Sequence, residues 1–239
     1  MFFTLPAVAI NLIYIVAAVL PAVFLMRYIY KHDTVEKEPA GMLISLLAMG
    51  LLSALASIVF ETIGQTVLDM TVSKDDTSYT IILAFVVVAM VEEGTKLIFL
   101  KLRTWRSSHF NYRFDGMVYA VFVSLGFAAF ENVGYVFTYG LSVALPRALM
   151  AVPAHMGFAV FMGLFYGRAK LFQKDGKKGA KNANLLAGYA MAVFLHGFYD
   201  ACAMIGNVLA TVLFILFVII MYIVVICVIK RESKSDIKV

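Results

Sequence analysis

The strongest chemical signal in this chain is a pair of adjacent glutamates followed by a lysine, Glu92, Glu93 and Lys96, inside an apolar stretch. On a helix Lys96 lies one turn beyond either glutamate, so one ammonium can pair with both carboxylates. Adjacent helical residues point about 100° apart, so one carboxylate can face a cavity while the other is paired. Such a carboxylate is suited to general-base catalysis. The alternative is a buried ion pair that only fixes helix packing.

Later apolar stretches carry further ionisable side chains. Glu131 has no cation within one turn of its own helix, so its partner must be another helix, water or a proton. Glu131 could therefore be a residue of a functional site, or a protonated side chain that forms a hydrogen bond between two helices. His196 lies one turn before Asp200, where the carboxylate can fix the imidazole tautomer or join it in a site. His155 is isolated and fits packing and functional roles equally.

These residues need elements that hold them at membrane depth. Of the 239 residues, 62% are hydrophobic and 15% are charged, and the mean hydropathy is +0.90. An apolar run of about 20 residues crosses the hydrocarbon core as a helix. We therefore predict one integral membrane domain over residues 1–239, an all-α polytopic bundle of about seven transmembrane helices. The predicted spans are 5–26, 41–68, 79–100, 117–138, 148–167, 185–205 and 208–229.

The orientation follows from the distribution of lysine and arginine. The segments 27–39, 101–113, 168–184 and 230–239 contain 17 of the 20 basic residues, whereas the alternate segments contain only Lys74 and Arg147. Positive charge collects on the cytoplasmic side, so we predict an external N-terminus and a cytoplasmic C-terminus. The same asymmetry accounts for the net charge of +5 without a nucleic-acid partner.

Depth along the helices is compatible with one shared cavity. At about 1.5 Å per residue, Glu131, His155 and His196 lie roughly 10–15 Å from the external boundary, and Glu92 lies about 20 Å from it. Helix tilt can absorb the difference. Glu61, near the external end of the second span, fits either an interfacial anchor or the lip of this cavity, and we expect the anchor.

The ordered motifs resemble those of the PrsW family of bacterial intramembrane proteases. The resemblance covers about residues 27–200. It is carried by Glu92-Glu93-x-x-Lys96, Phe127-x-x-x-Glu131, His155, His196-x-x-x-Asp200, the acidic turn Asp33-Thr-Val-Glu36-Lys-Glu38-Pro39 and the segment Asp115-Gly116-Met-Val-Tyr119. The wider group, which includes the CAAX prenyl proteases, has Arg and His where this chain has Lys96 and Glu131. Those two residues are the ones expected within the PrsW family.

The resemblance implies an intramembrane endopeptidase of the bacterial cell membrane. The implied substrate is a single-span membrane protein, in this family an anti-sigma factor, cut at its external side as the first step of a signalling cascade. We expect Glu92 to activate water, with Glu93 and Lys96 orienting it and His196 stabilising the oxyanion or protonating the leaving amine. Glu131, His155 and Asp200 would complete the site, and Asn132 would support it.

Three alternatives stay open at this point. A zinc site could form from His155, His196 and Glu131, although the chain lacks a His-Glu-x-x-His pair, so a metal-free glutamate mechanism without cofactor is favoured. Membrane carboxylates and histidines also form proton relays in ion-coupled transporters. Repeated broken helices at matching positions are typical of transporters, and Pro153 offers one such break without a matching partner. The third alternative is a membrane binding protein without catalytic activity. The complete set of acidic and histidine residues argues against it.

Overall fold

The computed structural model describes residues 7–239, and within that range the chain is helical with no strand. The predicted start of the first span at Leu5 lies outside the described residues. The helices are α1 (Ala7–His32), α2 (Ala40–Thr71), α3 (Thr77–Ile82), α4 (Met90–Thr104), α5 (Asp115–Tyr139), α6 (Ala144–Leu149), α7 (Ala151–Lys174), α8 (Lys178–Ile205) and α9 (Val208–Lys234). A π-helix (Leu83–Ala89) joins α3 to α4, and a short 3-10 turn (Leu141–Val143) precedes α6.

Within residues 7–239, six helical segments are long and apolar enough to cross a membrane. They are Val8–His32, Ala40–Thr71, Asp115–Tyr139, Leu141–Lys174, Lys178–Ile205 and Val208–Lys234. The prediction of a polytopic all-α bundle is therefore confirmed, while the orientation of the termini stays a prediction. The helices extend beyond the predicted spans because their polar ends continue as helix. The basic segment 168–184, for example, is helical except for a short turn at 175–177.

The predicted third span, 79–100, is not among these six segments, because its helix is divided into shorter pieces. It is helical from Thr77 to Thr104, but its middle is the π-helix, which ends shortly before Glu92. Single π-helical turns inside α-helices are frequent at functional sites. Phe85 of this turn packs against Gly197 of α8, where an added Cβ would lie 2.7 Å from the ring carbon Cγ. The contact joins the glutamate helix to the helix that carries His196.

The middle of the bundle is formed by α5 and α7, which are the most deeply buried helices. They approach closely because small residues face each other. A Cβ added to Gly163 would lie 2.8 Å from the carbonyl oxygen of Gly116, and one added to Gly116 would lie 2.7 Å from the amide nitrogen of Gly167. Backbone contact between small residues is a principal source of helix association in membranes. In contrast, α1 and α9 expose long apolar side chains along most of their length.

The acidic turn after α1 packs against the start of α5. The Tyr119 hydroxyl donates a 2.6 Å hydrogen bond to Glu38 Oε1, and Asp115 Oδ2 accepts from the backbone N–H groups of Asn111 and Tyr112. Burial raises the pKa of Asp33 in this turn to about 7. Glu131 lies on the same helix as Asp115 but about 24 Å further along the axis. The acidic-turn and Asp115 motifs therefore belong to the end of the bundle opposite the paired glutamates.

Candidate active site

The ammonium of Lys96 is the centre of a buried polar network on α4. Its Nζ lies 2.8 Å from Glu93 Oε1 and 3.0 Å from Glu92 Oε2, which is the pairing that the spacing predicted. The same nitrogen lies 3.2 Å from Nδ1 of His155 on α7. It also lies 4.0 Å from the centroid of the Phe127 ring, a cation–π contact. All four polar side chains are buried from solvent.

His196 of α8 approaches the same glutamates from another side. Its Nδ1 lies 3.0 Å from Glu93 Oε1 and 3.9 Å from Glu92 Oε2, and its Nε2 lies 3.3 Å from Asp200 Oδ2. The ring stacks on Phe158 with the centroids 4.8 Å apart. Carboxylates on both edges and an aromatic face below fix the imidazole in one orientation.

A second branch of the network runs from His155 to the end of the bundle. His155 Nε2 lies 3.0 Å from Glu131 Oε2, and the Arg147 guanidinium donates to the same oxygen at 2.9 Å. Arg147 Nε also donates to Asn132 Oδ1 at 2.7 Å, and the guanidinium carbon lies 3.7 Å from the centroid of the Tyr135 ring. Glu131 therefore finds its partners on other elements, as its lack of a local cation required.

Arg147 is a charged residue of this network that no sequence motif predicted. It entered only as one of two basic residues in the segments assigned to the external side. The short helix α6 folds back toward α5 and brings Arg147 to Glu131, 16 positions earlier in the chain. A lone arginine beside a membrane span that contains an isolated glutamate is the signal that could have suggested the pair.

The network borders a cavity of about 170 Å³ at this end of the bundle. Glu92 reaches the cavity wall, whereas Glu93 lies behind it with no exposed surface. The wall consists of Glu61, Val88, Glu92, Glu131, Tyr135, Arg147, Ala151, Ala154, His155, Phe158, His196, Tyr199, Asp200 and Met204. A larger and more open groove of about 490 Å³ adjoins it and shares six of these residues, including Tyr135, Arg147 and Asp200.

Glu61 lies on the cavity wall, so the expectation of an interfacial anchor was wrong. The helical phase of α2 explains the difference. Ser57, one turn earlier, hydrogen bonds to Thr95 of α4 at 2.7 Å, so this face of α2 packs against the glutamate helix. Residues four apart share a helix face, and Glu61 is therefore directed toward the cavity rather than toward lipid.

Sequence comparison decides the family of this site. Residues 38–228 match the family model described as PrsW family intramembrane metalloprotease. The chain belongs to the PrsW family. It is 32% identical to the protease PrsW of Clostridioides difficile (strain 630) over 209 residues, which is 86% of this chain and 85% of that protein. The identity is 31% to the protease PrsW of Geobacillus kaustophilus (77% and 76% covered) and 30% to that of Bacillus subtilis (77% and 79% covered). No solved structure matches.

Membership of the PrsW family identifies the chain as a multi-pass membrane peptidase. The family description also names a metalloprotease, and the donor atoms present can be tested against a metal. One donor atom from each of Glu92, Glu93, His155 and His196 lies within 4.8 Å of the others, and all four residues are buried. This set differs from the predicted zinc ligands because both glutamates take the place of Glu131. Imidazole and carboxylate donors in this number suit zinc.

The charge balance of this PrsW-family site is compatible with a metal. The cavity wall and the Lys96 network together contain five carboxylates, Glu61, Glu92, Glu93, Glu131 and Asp200, but only two side chains that are always cationic, Lys96 and Arg147. Buried charge needs compensation, which a divalent ion or protons on the two histidines would supply. The Glu93 Oε2 atom is buried and has no hydrogen-bond partner among residues 7–239, which leaves one ligand position free. The donor set therefore fits a divalent metal.

Proposed function

We propose that this chain hydrolyses a peptide bond of a single-span membrane protein, with Glu92 as the base that activates water. The observation that carries the proposal is that the two adjacent glutamates lie in different surroundings. Glu92 reaches the cavity, while Glu93 is held behind it by Lys96 and His196. A base must lie within reach of its water, and a second carboxylate that is fixed by hydrogen bonds can orient its neighbours.

The reaction follows from the groups around the cavity. Glu92 takes a proton from water as the oxygen attacks the carbonyl carbon, so a C–O bond forms and the carbonyl becomes an oxyanion. Asp200, 3.3 Å from Nε2 of His196, orients the imidazole so that Nδ1 faces the glutamate pair. The C–N bond then breaks, and the proton held by Glu92 passes to the leaving amine. The products are a carboxylate and an amine, with no redox partner required.

We further propose that a divalent ion takes part and that Glu93, His155 and His196 hold it. When bound, the ion would polarise the carbonyl and lower the pKa of bound water. Lys96 Nζ contacts donors of the same set at 2.8, 3.0 and 3.2 Å, so ammonium and metal compete for these atoms. This proposal replaces the expected metal-free mechanism. Stoichiometric zinc in purified active protein, with activity lost on chelation and restored by zinc, would support it.

The proposed substrate is an anti-sigma factor in the bacterial cell membrane. The open groove beside the cavity supports a membrane-embedded substrate, because it offers an apolar path from the bundle surface to the catalytic residues. Single-span anti-sigma factors are the substrate class that the family resemblance implies. Release of a sigma factor after the cut would place this chain at the start of a stress-response cascade.

Reconstitution in proteoliposomes tests the activity. Wild-type protein should cut a co-reconstituted single-span anti-sigma factor, and Glu92→Gln should lower the rate by at least about 100-fold, the usual contribution of a positioned base. Glu36→Gln is a matched control, since Glu36 is exposed in the acidic turn at the other end of the bundle. Full activity of Glu92→Gln would remove Glu92 from the mechanism. Proton uptake driven by a transported solute, without cleavage, would instead indicate a transporter.

A further inference from the structure

Glu61 differs from the other acids of the cavity wall. Glu92 pairs with Lys96, Glu131 with Arg147 and His155, and Asp200 with His196. The Oε1 atom of Glu61 is buried, yet within residues 7–239 it has no hydrogen-bond partner. Leaving a buried acceptor unsatisfied is unfavourable, so we expect this oxygen to accept a hydrogen bond from whatever occupies the adjoining cavity, water in the free protein and substrate in the complex.

The location of Glu61 indicates where that partner would lie. Its side chain borders the 170 Å³ cavity that contains Glu92 and His196, and also a second pocket of about 180 Å³ between α2 and α5. Glu92 and Glu131 border both spaces. A ligand that reaches Glu92 and continues along the wall therefore passes Glu61.

The chemistry of an intramembrane substrate supplies the missing donor. A transmembrane helix satisfies its own backbone, but a peptide bond can be attacked by water only after the helix unwinds locally. Unwinding frees N–H and C=O groups that are very costly to leave without partners away from water. A cavity that holds the unwound segment must offer acceptors and donors. Glu61 offers an acceptor, and Arg147 on the same wall has five N–H donors, of which two are used by Glu131 and Asn132.

We propose that Glu61 accepts a hydrogen bond from a backbone N–H of the unwound substrate segment beside the scissile bond. Glu61 thereby binds and aligns the peptide and takes no part in proton transfer. The inference rests on the proposed endopeptidase function and deepens it, because it makes an extended backbone, rather than a particular side chain, the feature that this position recognises.

A chemical mutant cycle tests the contact. Substrates prepared by ligation carry a single amide-to-ester replacement at each position flanking the scissile bond, which removes one N–H at a time. With the wild-type protein, one ester should raise KM about tenfold with little change in kcat, as expected for the loss of one hydrogen bond to a charged group. In Glu61→Leu the same ester should have no further effect. In Glu61→Gln, whose amide oxygen can still accept, the ester should again raise KM.

Binding is measured separately from cleavage so that the two proposals can fail independently. In a Glu92→Gln background the dissociation constant of each ester substrate should show the same single sensitive position, and Glu61→Leu should abolish it. An ester effect that is equal with and without the Glu61→Leu substitution overturns the Glu61 inference even if cleavage is normal. Ester-sensitive binding in a wild-type protein that cuts nothing supports the contact and overturns the proposed hydrolysis instead. Thermal unfolding of Glu61→Gln and Glu36→Gln shows whether the exchange is tolerated by the fold.

Discussion

Replacing Lys96 with methionine separates its structural role from its proposed competition with a metal. The ammonium is 2% exposed and is the cation nearest to two buried carboxylates, at 2.8 and 3.0 Å. Methionine fills similar space and keeps the contact with Phe127, but it leaves both carboxylates uncompensated. Removing one partner of a buried ion pair typically costs about 3–5 kcal/mol.

The expected change is large enough to measure by thermal unfolding in detergent. For a chain of this size each kcal/mol corresponds to about 2–4 °C in Tm, so Lys96→Met should unfold roughly 6–20 °C below wild type when metal is chelated. Added zinc should recover more stability in the variant than in wild type, because the ammonium no longer occupies the proposed ligands Glu93 and His155. Lys101→Met, on the exposed side of the same helix, is the control and should unfold close to wild type.

Two results would refute this reasoning at different points. If Lys96→Met is as stable as wild type under chelation, the carboxylates are not ionised in the folded protein and the network is held by protons. If the variant is destabilised but zinc recovers no more stability than in wild type, Glu93, His155 and His196 do not form a site for which Lys96 competes. The proposed metal ligands would then be wrong, while the buried ion pairs would stand.

Two further perturbations address other parts of the fold. Gly197→Ala would place a Cβ 2.7 Å from a Phe85 ring carbon, so we expect the free energy of unfolding to fall by about 1–3 kcal/mol and cleavage to slow as His196 moves. Adding Phe85→Ala to that variant should restore both stability and cleavage. If Gly197→Ala changes neither, the π-helix does not position α8. Asp33, whose pKa is raised to about 7 by burial, is protonated in the folded protein at low pH and costs stability when it ionises. Stability should therefore fall between about pH 4 and pH 7 and then level off, and Asp33→Asn should flatten that dependence in thermal unfolding, whereas an unchanged pH profile would exclude the effect.

The buried charges could be found from the sequence because each one is expensive in an apolar segment. The spacing of Glu92, Glu93 and Lys96 also predicted the ion pairs, since contacts within one helical turn depend only on local geometry. The similar depth of His155 and Glu131 in the membrane indicated that the two side chains could share a cavity. It did not indicate which side chains would contact each of them. Contacts between helices depend on rotation about each axis, which the sequence of a nearly uniform apolar helix leaves undetermined.

The wrong expectation for Glu61 and the missed contact of Arg147 also come from the undetermined rotation and packing of the helices. Glu61 was expected at the interface because its depth was known and its phase relative to α4 was not. Arg147 was counted as a topological charge because its contact requires the turn of α6 back toward α5, which no periodic pattern encodes. The π-helix lies in a run of valine, alanine and phenylalanine that predicts an ordinary helix equally well, and its contact with Gly197 of α8 is a tertiary contact that this run does not encode.

The position of the site along the bundle restricts which part of a substrate can be cut. His155 lies four residues after the start of α7, Glu131 lies eight residues before the end of α5, and His196 lies nine residues before the end of α8. At about 1.5 Å per residue these side chains lie roughly 6–14 Å from one end of the bundle, which the predicted orientation makes the external end. On the proposed function, a substrate helix that entered through the groove would therefore present its outer portion to Glu92. Helix-breaking residues in that portion should promote cleavage, because local unwinding then costs less, and the same residues near the cytoplasmic end should have no effect.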